Sequence, residues 1–456
     1  MAGIGFELRK LLRRGSYLNI ARAYGYAGII SAGPWVISIC GIIALDFLKY
    51  FDITQASIIQ QFQVSITYLI ALSLIFSGFT QHSFTRYVAD RLFEKKFDYV
   101  VPNFNGVLLV LTAVSGLFGF ILANVFFLQQ DFYFRLFMSG SFVVLCNIWF
   151  TTNLLSGLKN YRSILLAFFV GYSISVYLGY LLRFHGLDGL LGGFFVGQFV
   201  LLAGMLIILY YYYPSNRIID FDFLRPGRVF FTLVFTSLFY NLGIWVDKFI
   251  FWYSPLTSHS VLGPLHISVI YDLPIFLAYL AIIPGMAIFL FRVETNFVEY
   301  YNYYYDSVRN GDTLFNIIGA RYQMADAARQ GIFDIIRIQG ITIFTIFILG
   351  PKLLSFLHVS KHYIYLLNID IVGTSLLVIF LALLNYMFYL DRRVSALVLN
   401  VLFFVFNAIL TLWTIHLGVF YFGYGFVLAL LLVNVIAVLI LNHDFDNLEY
   451  ITFMRK

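Results

Sequence analysis

Charge is scarce along this chain. Its 456 residues include 23 acidic and 29 basic side chains, and charged residues make up 11% of the total, against about 25% in an average soluble domain. That shortage excludes an ordinary water-soluble fold. Cysteine is nearly missing as well. Cys40 and Cys146 both fall inside apolar stretches, where they read as small packing residues, so no disulfide framework, metal site or cofactor is expected. There is no Walker A loop, no zinc-ligand spacing and no Gly-x-Ser-x-Gly elbow, which argues against ATP-driven or hydrolytic chemistry in this chain and against an enzyme.

Apolar sequence is what the chain has in abundance: 61% of its residues are hydrophobic and 20% aromatic. Twelve stretches have about the 20 residues needed to cross a hydrocarbon core as a helix. They lie near 24–47, 60–81, 104–128, 134–156, 163–182, 189–213, 229–252, 268–291, 334–357, 364–390, 395–417 and 420–442. Lys and Arg fall almost wholly into every second gap, 23 of the 29 on the side of the N-terminus. The other side carries Lys49, Arg135, Arg183, Lys248, Lys352 and Lys361. Basic residues are retained on the cytoplasmic face, so both termini are expected there. The net charge of +6 then reflects loops meeting anionic lipid headgroups, and no nucleic-acid partner is expected. The basic start with Arg9, Lys10, Arg13 and Arg14 is similar to a signal peptide, but the apolar segment after it is too long for an h-region.

The expected fold is all-α integral membrane, with twelve helices in two six-helix lobes. A basic N-terminus (1–23) precedes an N-lobe (24–213), an inter-lobe cytoplasmic loop (214–228), a C-lobe (229–442) and a tail (443–456). Two similar hairpins, Lys159-Asn160-Tyr161-Arg162-Ser163 and Asp391-Arg392-Arg393-Val394-Ser395, are compatible with a duplicated six-helix transporter. Residues 292–333 form the one sizeable cytoplasmic loop. Within it Asn310-Gly311-Asp312 reads as a turn, and Leu314, Ile317, Ile318, Met324, Ala328 and Ile332 follow as a loosely amphipathic helix. That helix is expected to lie on the inner leaflet, to dock a partner, or to extend span nine into solvent.

Four prolines, Pro34, Pro274, Pro284 and Pro351, fall inside predicted crossings. Each removes a backbone hydrogen bond and invites a kink. Gly33-Pro34 in span one and Pro274 with Pro284 in span eight are candidate hinges, with static kinks as the alternative. Asp247 and Lys248 in span seven and Asp272 in span eight are ionisable groups at one depth in lipid, where charge defaults to a functional hypothesis. With Asn241 and Trp245 they are the candidate substrate path; a structural ion pair at the outer interface is the alternative. Two Asp-x-Asp strings, Asp220-Phe221-Asp222 and Asp444-Phe445-Asp446, have the spacing that holds a divalent ion against a nucleotide-sugar, but neither has a nucleotide-binding domain beside it.

Four strings carry a resemblance to a known family: MAGIGFELRKLL with Gly33-Pro34-Trp35; Asn241-Leu242-Gly243-Ile244-Trp245-Val246-Asp247-Lys248; Tyr271-Asp272-Leu273-Pro274; and Ile283-Pro284-Gly285-Met286. They closely resemble the PelG family of Pel exopolysaccharide transporters, in the polysaccharide branch of the MOP superfamily with its MATE-like flippase fold. The resemblance implies alternating access about a central cavity. It implies as cargo a partly deacetylated N-acetylhexosamine biofilm polymer, or a lipid-linked precursor, moved across the bacterial inner membrane. It also implies partnership with a cytoplasmic glycosyltransferase and a cyclic-di-GMP receptor. Two other functions compete: a cation-coupled multidrug exporter, and a membrane-embedded polysaccharide polymerase or synthase subunit. No acidic residue lies centrally in spans one to six, and the outer loops are short, which counts against each in turn.

Overall fold

The computed structural model describes residues 56–158, 161–225, 227–356 and 360–454, with isolated positions between 25 and 41. Most of span one, including Pro34, lies outside the described residues; Gly33 is among the described positions, helical and buried. The chain is almost wholly helical. Its described helices are α1 (Ala56–Ser77), α2 (Gln81–Phe93), α3 (Val100–Phe126), α4 (Phe132–Gly157), α5 (Tyr161–Leu182), α6 (Gly186–Tyr212) and α7 (Phe231–Tyr253). A hairpin of β1 (His259–Leu262) and β2 (Leu265–Ile267) leads to α8 (Val269–Tyr279), α9 (Ile282–Phe291), α10 (Val298–Asn310), α11 (Leu314–Phe356), α12 (Ile364–Tyr389), α13 (Arg393–Leu417), α14 (Tyr424–Asp446) and the short α15 (Leu448–Met454).

Among the described residues ten segments are long and apolar enough to cross a bilayer; one of them, Arg162–Tyr212, contains both α5 and α6. Exposed apolar side chains line them. On α11 Ile341, Phe344 and Ile348 are 61%, 67% and 59% exposed, an apolar surface that water does not tolerate and lipid does. This is a multi-pass membrane protein.

The chain packs as two compact units whose boundary falls inside α7. One takes in the described residues of Pro34–Trp245 with Phe251–Val269; the other holds Val246–Ile250 and Ile270–Lys456 with the few described positions up to Gly33.

In the first unit α5 and α6 pack against each other along a seam of small residues. Gly171, Ser175 and Gly179 recur every fourth residue on α5, and Gly193 and Gly197 do so on α6. A methyl group at Gly197 would overlap Ser175 Oγ and lie 2.6 Å from its backbone nitrogen; one at Gly193 would lie 2.6 Å from the Gly179 nitrogen. Spacing of four places small residues on one helix face, and in lipid close backbone approach is what holds helices together.

The loop before α7 is pinned to this unit. Asp220 N–H donates to the Pro102 carbonyl (3.0 Å), Phe223 N–H to Asn103 Oδ1 (2.9 Å), and Asn105 Nδ2 to the Ile218 carbonyl (2.8 Å). Phe223 packs edge-on against Phe84 and Tyr87. Asp222, 2% exposed, accepts from Tyr87 Oη at 2.9 Å and pairs with Arg225 and Arg228. Burial pushes the Tyr87 phenol up to about 12, so it remains a hydrogen-bond donor throughout the physiological range.

In the second unit span eight is broken. Leu280 and Ala281 form a turn between α8 and α9. Pro284 supplies the reason: it has no N–H, and its ring crowds the carbonyl four residues back, that of Leu280. After α9 the backbone widens into a π-helical turn over Arg292–Phe297, and α10 ends at Gly311, whose φ of 72° is left-handed and open to glycine without strain. The segment expected as a loop is therefore helical on both sides of that turn. The amphipathic stretch is the first part of α11, continuous with span nine over 43 residues. Its apolar face meets protein: Ile317, Ala320, Met324, Ala328 and Ile335 are buried. Arg321 on that face donates to the Phe445 and Asp446 carbonyls (3.1 and 2.9 Å) and pairs with Glu449 at 2.8 Å. Of the three expectations the structure has the extension of span nine; one face of that extension packs on protein, and the other, with Gln323, Asp326, Arg329 and Gln330, is exposed.

Candidate functional site

Lys248 and Asp247 are neighbours on α7 and are 1% and 0% exposed. Adjacent helical residues point about 100° apart, and the long lysine stem closes that angle: Nζ lies 3.0 Å from Asp247 Oδ2 and 3.3 Å from Oδ1. Lys248 Nζ also donates to Tyr279 Oη at 3.0 Å and sits 5.0 Å from the centre of the Phe426 ring. Asp247 is satisfied from three sides. Tyr271 Oη donates to it at 2.6 Å and Asn407 Nδ2 at 3.2 Å, and Thr411 donates to Asn407 Oδ1 at 3.0 Å, which fixes the amide's orientation. Tyr271 and Tyr279, eight residues apart on α8, present their hydroxyls to the same pair.

Asp370 on α12 completes the group. It is 0% exposed, and neither carboxylate oxygen has a hydrogen-bond partner among the described residues. Asp247 and Lys248 lie within its electrostatic reach. Gly423, at φ 83°, backs it so closely that a Cβ there would lie 2.8 Å from Asp370 Oδ1. All these side chains belong to the second unit. They set two carboxylates against one ammonium in the apolar interior, where each unbalanced charge costs at least about 2.5 kcal/mol on insertion scales.

The candidate residues read from sequence divide. Asp247 and Lys248 are the centre of the cluster. Asp272 is buried, 7% exposed, one residue along from Tyr271, and it is Tyr271 whose hydroxyl reaches Asp247. Asn241 and Trp245 belong to the other unit: Asn241 Nδ2 donates to the Leu74 carbonyl at 3.0 Å, and Trp245 packs 6.3 Å from Trp252. Pro274 is buried within α8, and Pro284 is the third residue of α9, just after the break. Sequence reasoning missed Asp370 and Tyr279. The signal for Asp370 was present, a lone carboxylate inside the apolar run 364–390.

Neither Asp-x-Asp string forms a metal site. Asp222 is engaged by Tyr87, Arg225 and Arg228, and Asp444 pairs with Arg392 at 3.3 Å. Among the described residues no three His, Cys, Asp or Glu side chains converge as metal ligands would.

The model of the family described as "PelG: Putative exopolysaccharide Exporter (EPS-E)" matches residues 1–453. The chain belongs to the PelG family. A comparison with curated proteins gives no significant match. Among solved structures the chain is similar to a MATE protein in its straight conformation, with a TM-score of 0.65, 12% identity and coverage of 94% of this chain and 96% of that one. It is also similar to an outward-facing multidrug resistance MATE family transporter of the MOP superfamily, with a TM-score of 0.58 and 14% identity over 98% and 94% of the two chains. A MOP superfamily transporter from Pyrococcus furiosus, titled for the reverse polarity of its binding pocket, gives 0.53 and 14% over the same shares. At these identities the likeness establishes a MATE-like transporter fold.

Proposed function

We propose that this PelG-family chain exports Pel polysaccharide or a precursor of it across the bacterial inner membrane by alternating access, and that the Asp247–Lys248–Asp370 cluster couples that movement to a cation. The observation that carries the coupling is Asp370, a fully buried carboxylate whose two oxygens have no partner among the described residues. One ammonium cannot balance two carboxylates in lipid; a second positive charge, a proton or a bound cation, completes the set. The exopolysaccharide-exporter family and the MATE-like fold support the transport function itself.

A cytoplasmic glycosyltransferase and a cyclic-di-GMP receptor are the proposed partners. The test is reconstitution of the full-length protein in proteoliposomes with the cognate glycosyltransferase and donor sugar. Polymer should appear in the lumen, faster when a proton or sodium gradient is imposed. A verified, folded complex that leaves the polymer outside would overturn the proposal. Resistance profiling of a deletion strain distinguishes a multidrug exporter, and sugar transfer by the purified protein alone would mark a polymerase.

A further inference from the structure

The hairpin between α7 and α8 is held rigidly. Tyr68 Oη on α1 donates to the His266 carbonyl at 3.0 Å and accepts from its N–H at 3.2 Å. Tyr253 Oη donates to the Pro264 carbonyl at 3.0 Å, and Ser258 Oγ lies 2.7 Å from His266 Nδ1. These contacts all fix β2 or the turn before it. Strand β1 is left beside the first two turns of α1, and between them lies a cavity of about 360 Å³. That volume is within the range of small-ligand pockets, about 300–1,000 Å³.

The chemistry of the lining is narrow. Ser57, Gln60 and Gln61 from α1 face His259 and Ser260 from β1: two amides, two hydroxyls and an imidazole. Each amide and hydroxyl both donates and accepts. No carboxylate, ammonium or guanidinium is among the described residues that line the cavity, so nothing there is built for a phosphate or a metal cation. The methyl groups of Val261 and Val269 supply the apolar patch. All of these residues lie in the first compact unit, apart from the charged cluster. The distribution of basic residues puts this hairpin on the external side.

We propose that this cavity is a binding site for a neutral N-acetylhexosamine segment, whose hydroxyl and acetamide groups pair with the amides and hydroxyls and whose apolar faces rest on the two valines. The proposal rests on the exporter reading above and adds to it an exit station, where the product is held by hydrogen bonds and apolar contact, without charge pairing, after leaving the membrane interior. Trp252 is a built-in reporter, because its ring stacks 4.5 Å from that of Tyr68, which grips the hairpin.

The test uses the full-length protein in nanodiscs, titrated with an N-acetylhexosamine tetramer and, separately, with its fully deacetylated, cationic counterpart, reading tryptophan fluorescence and calorimetric heat. Gln60→Leu and Ser260→Val alter exposed residues and are checked for folding by size exclusion. Each should weaken binding of the acetylated tetramer by about tenfold, the loss of one or two neutral hydrogen bonds; the cationic tetramer should bind less well. Equal affinity of wild type and both folded variants would overturn the inference. Absence of wild-type binding by a protein that restores export to a deletion strain would overturn it too, leaving the exporter reading intact. A chain that neither binds the tetramer nor restores export would remove both.

Discussion

Tyr271 on α8 donates a 2.6 Å hydrogen bond to the Asp247 carboxylate on α7, the shortest of that carboxylate's contacts with Tyr271, Asn407 and Lys248. Short bonds to an ionised acceptor are among the stronger hydrogen bonds of proteins. Here one joins two of the helices that carry the family-like strings. Asp247 is therefore a structural keystone as well as a candidate on the transport path, and the two roles call for different substitutions.

Asp247→Asn removes the carboxylate that Lys248 touches directly and the ionised acceptor of Tyr271 and Asn407. Breaking a buried pair by removing one partner costs about 3–5 kcal/mol, so the variant should melt well below wild type in a thermal unfolding assay of the solubilised protein. Asp247→Asn combined with Lys248→Met removes both charges and should recover most of that loss. A double variant as unstable as the single one would show that the pair is not what Asp247 holds.

Asp370→Asn should behave in the opposite way. Its oxygens have no hydrogen-bond partner among the described residues, so an isosteric amide removes charge without breaking a bond, and the melting temperature should stay at or above that of wild type. Export in a complemented deletion strain should be largely lost. A stable variant with full export would refute a coupling role for this carboxylate.

Asp222→Ala should release the loop that precedes α7. It deletes the acceptor of Tyr87 and the partner of Arg225 and Arg228. With one buried hydrogen bond to a charged group and two partly exposed arginines, the expected cost is about 1–3 kcal/mol. Limited proteolysis within 214–228 should speed up, and Tyr87→Phe should give a smaller change in the same direction. Unaltered cleavage in both variants would mean that the loop is held by its bonds to Pro102, Asn103 and Asn105 and by the packing of Phe223.

Gly197→Leu places a branched side chain where even a methyl meets Ser175. Overpacking of this kind costs about 1–3 kcal/mol, and at a seam of small residues the two helices must separate to relieve it. Crosslinking between cysteines placed on α5 and α6 should fall. Substitution at Gly204, where a Cβ has nothing nearer than 3.9 Å, is the control and should leave crosslinking unchanged.

Pro284→Ala restores the N–H that α9 lacks and removes the ring that crowds Leu280. If this proline causes the break, amide exchange at Leu280 and Ala281 should slow as α8 and α9 approach a single helix. Exchange as fast as in wild type would place the cause in the turn residues themselves.

Much of this molecule was legible before its coordinates. Several apolar runs mark helices to within a few residues, as for 364–390 against α12 at Ile364–Tyr389, because length and hydropathy are local properties of the chain; the run 334–357 marks only the second half of α11, which begins at Leu314. Asp247 and Lys248 stood out because lipid makes any charge conspicuous. Their partners did not stand out, because tyrosine and asparagine are common in membrane helices and nothing local says which of them meets a given carboxylate. Asp272 drew attention as a charge, while the hydroxyl that makes the bond belongs to its neighbour Tyr271. The partners of Arg321 within 292–333 are hidden for a related reason: they are the distant Phe445, Asp446 and Glu449, which no local pattern identifies.

Helix α11 sets a length scale for experiments on this protein. Its 43 residues span about 65 Å at about 1.5 Å per residue, roughly twice the hydrocarbon core of about 30 Å. The portion beyond the bilayer is a strut, clamped at Arg321 and bearing exposed Gln323, Asp326, Arg329 and Gln330 on its free face. A fluorophore carried at the exposed Asp312, just ahead of this strut, would therefore stand at a fixed height from the membrane, and a change in that height during transport would report motion of the helix as a whole.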